Sequence, residues 1–159
     1  MMSSWNRRTF LKYSAGSAIG TVALGWLAGC QGESVDSGQP TPARDEAGTP
    51  LTAEAVLGAN APGDFVPAQG LAEPVFLVIT EGPAVAGYGL SSVCSHRQCV
   101  VDWDAAAQQF VCPCHDSRFD TTGAVAQGPA TEPLGLVSVI TTDEQILLSN
   151  EPPAESPQG

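Results

Sequence analysis

Four of the five cysteines and both histidines of this chain lie within residues 94–115. They form two clusters, each with two thiols and one imidazole: Cys94, His96 and Cys99 in the first, and Cys112, Cys114 and His115 in the second. In each cluster a thiol and an imidazole are two or three residues apart, so a single loop can present both groups to one metal. Thiolate and imidazole bind zinc and iron. The spacing therefore predicts a metal centre built by two loops.

The segment between the two clusters predicts a β-hairpin that links them. Residues 100–103 and 109–112 contain β-branched and aromatic residues, and the turn residues 104–108 lie between them. Trp103 and Phe110 are expected to pack in the core under this hairpin.

Other short apolar runs also predict strands. They are residues 75–79, 88–93, 136–142 and 145–149. Helical periodicity is weak outside residues 52–57, where Thr52 could cap a short helix. The 17 glycines and 13 prolines indicate many turns. These features predict an all-β domain.

The charge of the chain is strongly acidic, with 17 acidic and six basic residues. Three of the basic residues, Arg7, Arg8 and Lys12, stand at the N-terminus, and there is no lysine after residue 12. A basic patch that could neutralise phosphates is therefore not expected, which argues against a nucleic-acid partner.

The first 29 residues look like a twin-arginine export signal, in which Arg7-Arg8 precedes a mildly apolar run. Serine and glycine dilute this run below the roughly 18 apolar residues of a firm membrane span. The sequence Leu-Ala-Gly before Cys30 looks like a lipobox, so Cys30 is a candidate for lipidation. An uncleaved signal anchor is the alternative. Either reading predicts a protein exported to the periplasm or cell exterior and held on a membrane.

Composition divides the rest of the chain into three parts. Residues 30–50 are rich in Gly, Pro, Ser and acids and predict a flexible tether. Residues 51–150 carry the strands and the metal clusters. Residues 151–159 resemble the tether in composition and are expected to be disordered.

The paired clusters resemble those of the Rieske iron–sulfur family, in which two cysteines hold one iron of a [2Fe-2S] cluster and two histidines hold the other. The resemblance implies a small antiparallel β-sandwich with a cluster-binding hairpin subdomain. It implies that Cys94 and Cys112 bind one iron and that His96 and His115 bind the other. In the cytochrome bc branch the remaining pair, which matches Cys99 and Cys114, forms a disulfide.

Residues downstream of the clusters extend the resemblance. Ser117 matches a serine whose hydroxyl bonds a bridging sulfide, and Gly128-Pro129 matches a proline loop that covers the cluster. Phe119 stands where the family usually has a tyrosine that bonds a ligand sulfur. Gln98 and Asp116 stand at positions that are usually glycine.

These departures affect the expected redox properties. Without the tyrosine hydroxyl at Phe119, and with a carboxylate at Asp116, we expect a potential in the lower part of the range found in the cytochrome bc branch. Arg97 replaces a leucine that helps to seat the cluster against cytochrome b in quinol-oxidising complexes. Docking in the ordinary quinol site is therefore in doubt.

Other readings of the metal centre are possible from the residues alone. Two cysteines and two histidines could bind tetrahedral zinc. A Rieske oxygenase is excluded because its second iron needs two further histidines and a carboxylate, and this chain has only two histidines.

The function implied by the resemblance is high-potential single-electron transfer without stand-alone catalysis. The first hypothesis is the iron–sulfur subunit of a quinol-oxidising cytochrome bc-type complex, with cytochrome b and cytochrome c as redox partners and quinol at an exposed His96 or His115. The second hypothesis is a relay subunit of a periplasmic oxidoreductase, as in arsenite-oxidase-like enzymes. A third is a metal-binding lipoprotein without a redox role.

Overall fold

The computed structural model of the chain describes residues 39–157. Within this range it contains one helix and ten strands: β1 Thr41–Pro42, α1 Ala53–Ala59, β2 Phe65–Ala68, β3 Val75–Ile79, β4 Val85–Ser91, β5 Asp102–Asp104, β6 Gln109–Val111, β7 Arg118–Phe119, β8 Val125–Gln127, β9 Leu136–Thr141 and β10 Ile146–Ser149. The strands form two antiparallel sheets. The prediction of an all-β fold is confirmed.

The larger sheet has six strands in the order β1-β10-β9-β4-β3-β2. Its two edge strands continue into Arg44 and Gln69, which exchange two backbone hydrogen bonds of 2.8 Å each. These hydrogen bonds therefore connect the two edges of the sheet at this end. An apolar core lies on one of its faces, and the fully buried members include Leu77, Ile146 and Leu148.

Burial of both faces of strand β3 explains why its sequence is apolar at every position. Side chains alternate between the two faces of a strand. Val75, Leu77 and Ile79 belong to the core of the six-stranded sheet, whereas Phe76 and Val78 belong to a second core. All five residues are buried because both faces of β3 are covered.

The smaller sheet has four strands in the order β5-β6-β7-β8 and carries the predicted metal site at its loops. Phe110 of β6 and Phe119 of β7 are paired across the sheet and fully buried. They share the second core with Phe65 and Phe76 of the larger sheet. This core is what fixes the hairpin subdomain on the rest of the domain.

Helix α1 begins where the sequence predicted it, after Thr52. The Thr52 hydroxyl accepts a hydrogen bond of 3.2 Å from the backbone N–H of Ala55, which is the usual role of a threonine cap. Val56 is buried in the core of the larger sheet. The helix ends at Asn60, whose side-chain amide donates to the carbonyl of Val56 at 2.8 Å.

The folded part of the chain begins before the predicted boundary at residue 51. Thr41–Pro42 pairs with β10, and the side chain of Ala43 is fully buried. The Thr41 hydroxyl donates to the carbonyl of Gly70 at 2.7 Å. Proline is tolerated in a strand that lies at a sheet edge. Tether-like composition thus extends into a segment that is part of the sheet.

The C-terminal segment also contacts the domain where disorder was predicted. The carboxylate of Glu155 accepts a hydrogen bond of 3.3 Å from the backbone N–H of Gly87 in β4. The predicted export signal with Arg7 and Arg8, and the predicted lipidation site Cys30, lie outside the described residues. Within residues 39–157 no helix is both long and apolar enough to cross a bilayer.

Candidate metal centre

Loop 1, residues 94–99, carries the first cluster and has a tightly hydrogen-bonded backbone. The N–H of Cys94 donates to the carbonyl of Cys99 at 2.8 Å, and the N–H of Gln98 donates to the carbonyl of Cys94 at 2.9 Å. Gln98 has a φ of 59°, in the left-handed region. The loop therefore turns sharply between its two cysteines.

Loop 2, residues 112–117, repeats the same pattern. The N–H of Cys112 donates to the carbonyl of Ser117 at 2.8 Å, and the N–H of Asp116 donates to the carbonyl of Cys112 at 3.0 Å. Asp116 has a φ of 55°. The two loops thus present their first cysteines in equivalent backbone settings.

The first cysteine of each loop is a buried free thiol. Cys94 is 0% exposed and Cys112 is 2% exposed. Burial raises the pKa of the Cys112 thiol above its ordinary value of 9.0, and the neighbouring Cys94 sulfur adds to this increase. The backbone N–H groups of Cys114 and His115 act in the opposite direction because they bond the Cys112 sulfur. A metal that binds here must displace the thiol protons.

The two histidines lie together at the outer side of the loops. The ring centroids of His96 and His115 are 4.9 Å apart, and the rings are nearly perpendicular at 85°. Both side chains are exposed. One residue from each loop therefore contributes to an imidazole pair that reaches solvent.

A disulfide joins the two loops through Cys99 and Cys114, whose Cα atoms are 6.5 Å apart. The sulfurs of these two residues and of Cys112 lie within 4.8 Å of one another. Disulfide sulfurs do not offer a thiolate, so they are not available as ligands. The thiols that remain for a metal are Cys94 and Cys112.

A third segment packs on loop 2 and corresponds to the predicted proline loop. The Ser117 hydroxyl is fully buried and accepts a hydrogen bond of 3.2 Å from the N–H of Ala130. Gly128 has a φ of 108°, and a Cβ at this position would lie 2.5 Å from the Cα of Ser117. Pro129, which stands between Gly128 and Ala130, is exposed. Only glycine allows the segment to approach loop 2 this closely.

The charged residues beside loop 2 form a small surface network. Asp116 accepts a hydrogen bond from the guanidinium of Arg118 at 3.1 Å and another from the amide of Gln127 at 3.5 Å. Asp116 is exposed, whereas Phe119 is buried in the core below. The carboxylate charge near loop 2 is therefore partly balanced by an arginine.

Arg97 lies at the exposed turn of loop 1, next to His96. Among the described residues its side chain has no hydrogen bond and no ion pair. An unpaired positive charge thus stands beside the imidazole pair.

The donor set fits a two-iron centre with different ligands on its two sides. Two buried thiols face inward and two exposed imidazoles face outward, and both pairs take one residue from each loop. Backbone N–H groups directed at the Cys112 sulfur would stabilise its thiolate form. The arrangement could therefore hold a metal group that passes electrons at its exposed end.

Comparison with known families supports the same conclusion. A family model described as Rieske [2Fe-2S] domain matches residues 54–142, more than half of the chain. The chain belongs to the Rieske [2Fe-2S] family. Its cofactor is a [2Fe-2S] cluster, and its function is electron transfer.

Curated relatives align with most of the length of this Rieske protein. The cytochrome b6-f complex iron-sulfur subunit of Synechococcus sp. (strain CC9605) is 36% identical over 149 residues, which cover 90% of this chain and 84% of that protein. The subunit of the same name from Prochlorococcus marinus (strain MIT 9215) is 38% identical over 152 residues, covering 91% and 85%.

A solved structure is also similar. The cyanobacterial plasma membrane Rieske protein PetC3 from Synechocystis PCC 6803 is 29% identical, with a TM-score of 0.49, and the match covers 60% of this chain and 92% of that chain.

Some residues of the site were not foreseen from the sequence. The Ser95 hydroxyl donates to the carbonyl of Glu132 at 2.8 Å and ties loop 1 to the segment after the proline loop. Arg118 pairs with Asp116, and the two opposite charges two residues apart are a signal for this pair in the sequence. Nothing in the local sequence marks Ser95 as different from other surface serines.

Proposed function

We propose that this protein is the iron–sulfur subunit of a quinol-oxidising complex of the cytochrome bc type. The observation that carries the proposal is the pair of exposed imidazoles, His96 and His115, opposite the buried thiols Cys94 and Cys112. Relatives named as cytochrome b6-f iron-sulfur subunits, which align over most of the chain, support it.

In this proposal each loop supplies one ligand to each iron. Cys94 and Cys112 would hold one iron of the cluster, and His96 and His115 would hold the other. When bound, the cluster supplies one-electron uptake and release. The loops exclude water from the sulfur side, because both cysteines are almost fully buried.

The exposed imidazoles supply the contact with quinol. A ring nitrogen of His96 or His115 accepts a hydrogen bond from the quinol hydroxyl and then receives its proton. This role requires an imidazole that reaches the surface, which both rings do. The partners expected around this surface are cytochrome b and cytochrome c.

The N-terminal segment places the domain at a membrane in this proposal. Arg7 and Arg8 direct twin-arginine export, and the domain then faces the periplasm or cell exterior. Lipid on Cys30 or a retained signal anchor holds it there. Alignment over 90% of the chain reaches beyond residues 39–157, so the likeness to the cytochrome b6-f subunits includes part of this segment. Mass spectrometry of the membrane-extracted protein distinguishes an acylated Cys30 from an intact N-terminus.

A second function is favoured by one observation, the exposed Arg97 beside His96. Its charge would have to be desolvated in an apolar quinol pocket, which is costly unless the charge is paired. A relay subunit of a periplasmic oxidoreductase, which receives electrons through protein contact alone, avoids this cost.

The decisive experiment measures the reduction potential between pH 6 and pH 10. If an imidazole ligand releases its proton more readily in the oxidised protein, the potential falls with rising pH. A flat potential over this range contradicts proton uptake by His96 or His115. Co-purification then separates the two functions, because cytochrome b supports the first and a molybdopterin subunit supports the second.

A further inference from the structure

A groove of about 390 Å³ is lined by residues of β2 and β5, which are edge strands of the two sheets. Its floor includes Phe65, Phe76 and Trp103, and its rim includes the carboxylates of Glu46 and Asp102. None of these residues belongs to the proposed metal centre. The groove is therefore a separate feature of the surface.

The floor of the groove is held by aromatic packing. The ring centroids of Phe65 and Trp103 are 4.3 Å apart, and Trp103 also packs on Phe110 at 4.8 Å. Phe110 is fully buried, whereas Trp103 is half-buried and borders the groove. Because the core fixes the indole from behind, its position in the groove is preorganised.

The two carboxylates at the rim have no partner among residues 39–157. Glu46 and Asp102 are exposed, and neither takes part in a side-chain hydrogen bond or ion pair in this range. Arg44 is only two residues from Glu46, but its guanidinium donates to the carbonyl of Gly48 at 2.9 Å. Two negative charges thus stand beside an aromatic floor without a neutralising cation.

We propose that this groove binds an arginine or lysine side chain of a protein partner. A cation near an aromatic face is attracted by the ring, and a carboxylate at the rim adds a charge-assisted hydrogen bond. The described residues include three arginines and no lysine, against a large excess of acids, so the domain as a whole attracts a basic surface.

The position of the groove would place a bound partner beside the metal centre. Val100 follows Cys99 of loop 1, is 49% exposed, and lines the groove. A partner held by its cation would therefore lie along the flank of the metal centre, while His96 and His115 stay free. The inference goes beyond the proposed function and does not depend on which complex the protein joins.

The test uses the full-length protein labelled with 5-fluorotryptophan and observed by ¹⁹F NMR. The chain has three tryptophans, and the Trp103 signal is assigned with Trp103→Phe. The probes are the peptide acetyl-Gly-Arg-Gly-amide and the same peptide with norleucine in place of arginine. We expect the arginine peptide to shift the Trp103 signal in a saturable, salt-sensitive way, and the norleucine peptide to leave it unchanged.

The variant that removes the two charges is Glu46→Gln with Asp102→Asn, and it should weaken binding of the arginine peptide about fivefold. The matched control is Asp143→Asn with Glu144→Gln, which makes the same charge change at the exposed β9–β10 turn. The control should bind as the unchanged protein does. Thermal unfolding checks that both variants fold.

Three results would overturn the proposal. A Trp103 signal that does not respond to the arginine peptide means that the groove does not bind a cation. An equal response to the norleucine peptide means an apolar occupant. Equal weakening by both double variants means attraction by net charge and no site at the groove.

Discussion

Gln98 and Asp116 have the same backbone conformation at equivalent places in the two loops. Their φ angles are 59° and 55°, and each donates its N–H to the carbonyl of the cysteine four residues earlier. Glycine adopts this conformation without a Cβ clash, and aspartate tolerates it better than glutamine does. The two positions therefore share a backbone requirement and differ in charge.

This relationship predicts different effects for Asp116→Gly and Gln98→Gly. Both changes relieve left-handed strain, but only the first removes a negative charge beside loop 2. Asp116→Gly should raise the reduction potential by an amount on the order of tens of millivolts at low salt, because a less negative surrounding favours the added electron. The measurement is protein-film voltammetry at two ionic strengths.

Gln98→Gly is the control for the same backbone change without a charge change. It should leave the reduction potential unchanged and increase the free energy of unfolding by about 1 kcal/mol. The shift in Asp116→Gly should become smaller at high salt, since Asp116 is exposed. Equal shifts in both variants would show that the backbone, and not the charge, controls the potential.

Gly128→Ala is predicted to disrupt the site. The new Cβ would lie 2.5 Å from the Cα of Ser117 and 3.0 Å from its hydroxyl oxygen, and the φ of Gly128 is 108°. The proline loop must then move away from loop 2. We expect a loss of several kcal/mol in stability and a lower iron content after purification.

Gly82→Ala is the matched control, because a Cβ there meets no atom within 4 Å. It should retain full iron content and the unfolding midpoint of the unchanged protein. Iron and acid-labile sulfide analysis, together with thermal unfolding, measures both variants. Normal iron content in Gly128→Ala would mean that the close approach to Ser117 is not required.

Much of the metal centre was predictable because its chemistry is local in sequence. Cys94 and His96 are two residues apart, and Cys112 and His115 are three apart, so residue type and spacing alone indicated two loops. The approach of Gly128 to Ser117 depends on segments eleven residues apart and on a resemblance to known proteins. The hydrogen bond between Ser95 and Glu132 joins residues 37 positions apart, so it could not be inferred from spacing.

The longer strands were predictable from their apolar runs, and the shorter ones were not. Val75–Ile79 is apolar throughout because both of its faces are buried. In contrast, β7 has two residues and β8 has three exposed ones, so neither shows periodicity. Strand β1 lies in a proline-rich segment with the composition of a tether, and its pairing partner is over 100 residues away, so the local sequence does not indicate a strand.

Phe119→Tyr should raise the potential by about 20–60 mV. The added hydroxyl could donate to a ligand sulfur, and one hydrogen bond is worth about 0.5–1.5 kcal/mol. Phe119 is fully buried, so the hydroxyl must find such a partner or remain unsatisfied. Protein-film voltammetry of the variant measures the change.

Phe110→Tyr is the control for this substitution. Phe110 is paired with Phe119, equally buried, and packed against Phe65 and Phe76. A hydroxyl there enters an aromatic core, so it should lower stability without raising the potential. An unchanged potential in Phe119→Tyr would rule out hydroxyl donation as the cause of the expected low potential.

Alkaline pH should destabilise the domain through Tyr88. Burial raises the pKa of the Tyr88 hydroxyl above 10.0, and the nearby Glu155 carboxylate adds to the increase. The folded protein therefore holds this proton more tightly than the unfolded chain does. The contribution to stability is fully present below about pH 10 and is lost as the pH rises through the folded-state pKa.

Tyr88→Phe should remove this part of the loss of stability at alkaline pH. Glu155→Gln should reduce the loss only partly, because burial is the larger cause of the raised pKa of Tyr88. Glutamine retains an oxygen that can accept the hydrogen bond from Gly87, so the second variant changes the charge and keeps the contact. Unfolding midpoints between pH 8 and pH 12 measure the difference. If Glu155→Gln removed the whole effect, the carboxylate and not burial would control the pKa of Tyr88. The C-terminal segment would then influence the core below the metal centre mainly through its charge.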